Sequence, residues 1–126
     1  MTSTADLATA LVSVVDDDES VRESLPDLLR ELGFSTQAFS SAEEFLQSGQ
    51  IEQTKCLVLD INMPGMSGPE LKQELRRRGY RTPIVFITAH ADPAAYPDLL
   101  DGAVACLVKP FSDTALHNAL KKALDT

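Results

Sequence analysis

The sequence predicts an α/β domain: a parallel sheet with helices on both faces. Three observations carry that prediction. Short strand-like runs recur five times along 126 residues, alternating with segments of helical spacing. Two of the runs, CLVL (56–59) and PIVFIT (83–88), are apolar without alternation, the pattern of strands covered on both faces. Capping and turn residues punctuate each change of period. Such β-α alternation requires right-handed crossovers, which bring every strand's carboxyl end to one edge of the sheet.

Leu11 to Val15 (LVSVV) is the first strand. Asp16, Asp17 and Asp18 follow, and Asp18 is placed to cap a helix over 19–32. Its apolar stripe is Val21, Leu25, Leu28, Leu29 and Leu32. Pro26 inside that stripe deletes a backbone hydrogen bond and predicts a kink, at roughly 3 kcal/mol unless the site accommodates it. Gly33 is the stop. Residues 34–39 alternate, which suits an edge strand. Ser40 or Ser41 caps a helix through Ser48, with Glu43 and Glu44 in its first turn, where the helix dipole favours them.

The central strand, CLVLDI, follows a polar connection. It ends near Asp60 and opens into Met63-Pro64-Gly65. Ser67 caps a helix over 69–78 that buries Leu71 and Leu75. Arg76, Arg77 and Arg78 in its last turn complement the dipole and read as a solvated helix end. After the fourth strand, Pro93 and Pro97 limit the 89–101 segment to a short helix, centred on 96–101. Residues 103–108 (AVACLV) form the fifth strand, and Lys109-Pro110-Phe111 turns the chain. Ser112 caps a last helix to Leu124, with Ala115, Leu116, Ala119, Leu120 and Ala123 inward. Residues 1–10 read as a loosely held tail and 11–126 as one domain.

Composition narrows the function. A net charge of −8 repels a phosphate backbone and argues against nucleic-acid binding by this chain alone. No apolar run approaches membrane-spanning length, and no signal peptide is expected. Cys56 and Cys106 both fall in predicted buried strands, so a reduced, cytoplasmic setting fits and a disulfide framework does not.

Polar groups stand at the ends of four strands: the Asp16/Asp17 pair, Asp60, Thr88 and Lys109. Each alone has a structural reading as a cap, core or turn residue. Jointly, on one sheet edge, they form a candidate site. Converging carboxylates repel by roughly 4 kcal/mol per pair at 4 Å and an effective dielectric of 20. A hard divalent cation relieves that, and Mg²⁺ suits all-oxygen ligands. The chemistry that fits is phosphoryl transfer to a carboxylate, with Asp60 as acceptor at the central strand.

The motifs VVDDDESVRESL, LVLDINMPGMSG, PIVFITAH and LVKPF resemble the receiver domain of two-component response regulators, over residues 11–124. The wording VRESL, SAEEFL and MPGMSG looks most like receivers of FixJ/NarL-type regulators. The resemblance implies a flavodoxin/CheY-like, doubly wound five-stranded sheet of order 2-1-3-4-5 flanked by five helices. It implies that Asp60 accepts a phosphoryl group from a sensor histidine kinase. It implies Mg²⁺ bound by Asp17, Asp60 and the backbone carbonyl of Asn62, with Asp16 acting mainly through water. Lys109 would contact phosphoryl oxygens and precede a cis proline, and Thr88 would swing in to bond the phosphate. The protein would be a signalling module rather than an enzyme, a monomer or a weak phosphorylation-dependent dimer, with an output domain or partner protein as its target.

The sequence departs from the family at Cys106, where receivers usually carry an aromatic, at the Pro97-containing fourth helix, and at Pro26. Two readings compete: a pseudo-receiver that is never phosphorylated, and an aspartyl-phosphate hydrolase. The hydrolase wants a second Asp two residues after the nucleophile, and that position is Asn62.

Overall fold

In the computed structural model, which describes residues 10–89 and 103–124, five strands form one parallel sheet of order β2-β1-β3-β4-β5. The strands are β1 (Leu11–Val15), β2 (Ser35–Phe39), β3 (Thr54–Asp60), β4 (Ile84–Thr88) and β5 (Ala105–Val108). The helices are α1 (Glu19–Glu31), α2 (Ala42–Gln47), α3 (Gly68–Arg77) and α4 (Asp113–Leu124). The helix expected between β4 and β5, with His90, Pro93 and Pro97, lies outside the described residues, as does the tail to residue 9. Ala10 is buried, and its carbonyl accepts from the Ser35 amide at 3.1 Å.

The sheet divides the core in two. Val12, Val14, Cys56, Val58, Val85 and Ile87 face α1 and α4, where Leu25, Leu29, Leu116 and Leu120 meet them. Leu57, Leu59, Ile84 and Phe86 face α2 and α3, packing on Phe45, Leu71 and Leu75. Alternate residues of β3 and β4 enter opposite cores, which is why those strands read as unbroken apolar runs. β2 is an edge strand, and its exposed Ser35 and Gln37 account for its alternation.

Caps begin the helices where the sequence placed them. The Asp18 carboxylate accepts from the Ser20 amide, and Ser41 Oγ from the Glu44 amide. Ser67 and Glu70 form a reciprocal capping box, and Ser112 Oγ accepts from the Ala115 amide. α1 continues through Pro26, which is buried between Leu25 and the rest of the inner face. The residue at that position therefore forgoes one backbone bond on a buried face. Ser13 sits fully buried in β1 and donates to Thr54 Oγ1 at 2.7 Å, since Thr54 in turn donates to the Gln50 carbonyl. That chain satisfies the two buried hydroxyls.

Candidate functional site

β1, β3, β4 and β5 run parallel and in register, so their last residues share an edge. Val15 pairs with Leu59, Asp60 with Ile87, and Thr88 with Val108. Asp16 and Asp17 follow β1, Asp60 ends β3, Thr88 ends β4, and Lys109 follows β5. The convergence expected from the sequence is a consequence of this register.

Asp16, Asp17 and Asp60 each present an oxygen within 4.8 Å of the others. Their exposures differ sharply: Asp16 is 0% exposed and Asp60 6%, whereas Asp17 faces solvent. Lys109 Nζ donates to Asp16 Oδ2 at 2.9 Å. The lysine thus sits on the buried carboxylate rather than on Asp60. Asp16 Oδ1 accepts from the Asp18 amide at 2.9 Å, and its carbonyl accepts from Arg22 at 3.0 Å. Lys109–Pro110 is a cis peptide. Thr88 is buried, and its carbonyl accepts from the Lys109 amide at 2.7 Å.

These contacts fix the electrostatics. Burial pushes the Asp60 carboxyl up, and the Asp16 charge pushes it further. Lys109 and the nearby Asn62 amide pull it back, and the balance leaves it at about 7. Burial alone would lower the Lys109 ammonium, but its hydrogen bond to Asp16 and the charges of Asp16, Asp60 and Asp18 outweigh that and raise it. The rim therefore carries more negative charge than one lysine balances.

An all-oxygen set of closely spaced carboxylates, one of them pushed up to about 7 by burial and by the Asp16 charge, fits a hard divalent cation such as Mg²⁺. Asn62, expected to lend its carbonyl, is exposed in the loop after Asp60. Cys106 is only partly buried and packs against the α2/α3 core, opposite Phe86 on β4, whereas Cys56 is fully buried on the other face. Burial raises both thiols, Cys56 to about 12. Reading both as buried strand residues held for Cys56 alone.

Three neighbours of the site escaped the sequence reading. Arg22 holds the Asp16 carbonyl from one turn into α1. Gly68 brings the start of α3 against the end of β3: its amide donates to the Ile61 carbonyl at 3.0 Å, and a Cβ there would lie 2.4 Å from the Asp60 carbonyl oxygen. Glu43 reaches across from α2 to the loop after Asp60, with its Oε2 accepting from the Met66 amide at 3.2 Å. A glycine directly after a capping serine was the visible signal for Gly68. The contacts of Arg22 and Glu43 follow no local spacing. Beside the rim, a groove of about 480 Å³ runs between α1 and the turn after β5, lined by Val21, Leu25, Leu28, Lys109, Pro110 and Phe111.

The chain is similar to known proteins. The family model for the response regulator receiver domain matches residues 12–121. Nodulation protein W of Bradyrhizobium diazoefficiens is 45% identical over 117 residues, covering 92% of this chain and 52% of that protein. The solved structure of response regulator StyR superposes with a TM-score of 0.83 at 48% identity, covering 91% of this chain and 59% of the other. Response regulator TrrA from Thermotoga maritima, solved in complex with Mg²⁺-BeF, superposes with a TM-score of 0.80 at 31% identity, covering 92% of this chain and 100% of that one. The chain spans about half the length of the curated relatives it matches. No helix among the described residues is long and apolar enough to cross a membrane.

Proposed function

Because this chain belongs to the response regulator receiver domain family, we propose that Asp60 is its phosphoacceptor and a sensor histidine kinase its donor. The observation that carries the reading is the trio of carboxylate oxygens within 4.8 Å of one another, beside the ammonium of Lys109. A carboxylate oxygen of Asp60 forms the new P–O bond as the P–N bond of a phosphohistidine breaks, and the electron pair leaves with the imidazole. Mg²⁺ held by Asp17, Asp60 and the Asn62 carbonyl, with Asp16 through water, would supply charge neutralisation for the carboxylates and the phosphoryl oxygens.

The chain's own residues divide the remaining work. The register of β3 between β1 and β4 fixes Asp60 at the rim. Lys109 leaves Asp16 to meet the phosphoryl oxygens. Thr88, at the end of the neighbouring strand, donates its hydroxyl to the phosphorylated group. The groove along α1 seats an amphipathic helix of the kinase next to the acceptor. Since the relatives are about twice as long, the output belongs to a further domain or partner protein, reached through a two-state shift of the surface beyond Thr88.

The test is direct. Incubated with Mg²⁺ and acetyl phosphate, the protein gains the mass of one phosphoryl group, and Asp60→Ala gains none. An unlabelled wild type, or a label that persists in Asp60→Ala, overturns the assignment. Size measurement with and without beryllofluoride tests weak dimerisation on activation.

A further inference from the structure

We propose that Glu43 is a positioning residue for the acidic rim, acting through the loop that follows Asp60. The proposal rests on the reading of that rim as a Mg²⁺ site. The loop enters α3 at Ser67 and contains Met63, Pro64, Gly65 and Met66, with Pro64 and Gly65 exposed. Its start matters to the site, because Asn62 stands two residues after Asp60 and its carbonyl is a proposed Mg²⁺ ligand. A loop free to shift would let that carbonyl shift with it.

Glu43 ties the far side of the loop to a fixed support. Its Oε2 accepts from the Met66 amide, across 23 residues of sequence. The support is rigid because Ala42 and Phe45, on either side of Glu43 in α2, are both fully buried. The adjacent glutamate does a different job. Glu44 accepts from the Ser40 amide and hydroxyl, and its own amide donates to Ser41 Oγ, so it serves the start of α2 itself. Glu43 is left to reach outward.

The loop is shaped to receive it. Gly65 has φ of +76°, and a Cβ at that position would stand 3.0 Å from Glu43 Oε2. Only a residue without a side chain takes that backbone conformation easily and leaves the carboxylate room to approach. Groups behind the direct ligands of a metal site commonly govern its affinity by orienting those ligands, with losses of about tenfold and more on removal.

The test compares Glu43→Ala with Glu43→Gln, which keeps an oxygen acceptor and loses the charge. Each is titrated with Mg²⁺ alone and followed by the amide resonances of Asp60 and Asn62, with the urea midpoint measured in parallel. Glu43→Ala is expected to weaken Mg²⁺ binding about tenfold with little change in midpoint, whereas Glu43→Gln stays within about twofold of wild type. Wild-type affinity in a folded Glu43→Ala overturns the proposal and leaves the site reading intact. Equal losses in both variants also overturn it, since charge alone would then account for the effect. A wild type that binds no Mg²⁺ removes the site reading and this proposal together.

Discussion

Replacing the acceptor should make the metal-free protein more stable. The Asp60 carboxyl rises from an ordinary 3.8 to about 7 because it is buried beside Asp16. The folded state therefore holds this proton more tightly than the unfolded chain does. Between pH 4 and 7 unfolding releases the proton, so the group's contribution to stability falls as pH rises and levels off above the folded value. A shift of about three units at about 1.4 kcal/mol each makes the ionised form costly by on the order of 4 kcal/mol at pH 8. Asp60→Asn keeps the shape while removing the charge. Its advantage over wild type should grow by about 1.4 kcal/mol per pH unit from pH 4 to 7, then hold constant. The chain has no tryptophan, so urea unfolding is followed by far-ultraviolet circular dichroism, in chelator and across pH 5 to 8. Mg²⁺ should close most of the gap by stabilising wild type alone. An Asp60→Asn variant no more stable than wild type at pH 8, or an advantage that does not change with pH, refutes the account of a strained rim.

Lys109→Ala leaves the fully buried Asp16 without its partner and should destabilise the metal-free protein by about 3–5 kcal/mol, read from the same urea curves, with partial recovery in Mg²⁺. Gly68→Ala places a methyl 2.4 Å from the Asp60 carbonyl oxygen. It should cost about 1–3 kcal/mol and weaken beryllofluoride binding, because α3 must back away from the end of β3. Thr36→Val removes a buried hydroxyl that has no hydrogen-bond partner and should raise stability by about 1 kcal/mol, seen as a higher thermal midpoint.

The elements were legible because their signals are local. Asp18, Ser41, Ser67 and Ser112 cap helices through bonds spanning two or three residues, and such contacts leave a pattern in sequence. The apolar runs of β3 and β4 gave their two-sided burial for the same reason. Strand order did not come from periodicity; it came with the family resemblance, and the sheet has that order. The site was legible as a set of strand ends but not as a set of bonds. Lys109 lies 93 residues from Asp16, and nothing in the spacing says it will choose that carboxylate over Asp60. The choice follows from burial: a fully enclosed charge gains most from a partner, and Asp16 is the enclosed one.

That pairing constrains any switch. If Lys109 moves to a phosphorylated Asp60 as proposed, its departure strands a buried carboxylate at a cost of about 3–5 kcal/mol. Release of the lysine is therefore coupled to another positive charge reaching the rim, and without one the resting pair persists. The size of the response sets a second bound. Moving a population from 1:99 to 99:1 takes about 5.5 kcal/mol of differential stabilisation. One hydrogen bond from Thr88 contributes about 1.5 kcal/mol at most, or about 3 kcal/mol if made to a charged oxygen. The remainder has to come from the metal, from Lys109 or from a partner surface. No aromatic ring on β5 moves with Thr88, since the strand reads Ala105-Cys106-Leu107-Val108. Just past β5, the Lys109 amide donates to the Thr88 carbonyl at 2.7 Å. Thr88 and Lys109, the residues proposed to bond and to neutralise the phosphate, are thus tied through main chain, so a displacement of either is expected to be felt by the other.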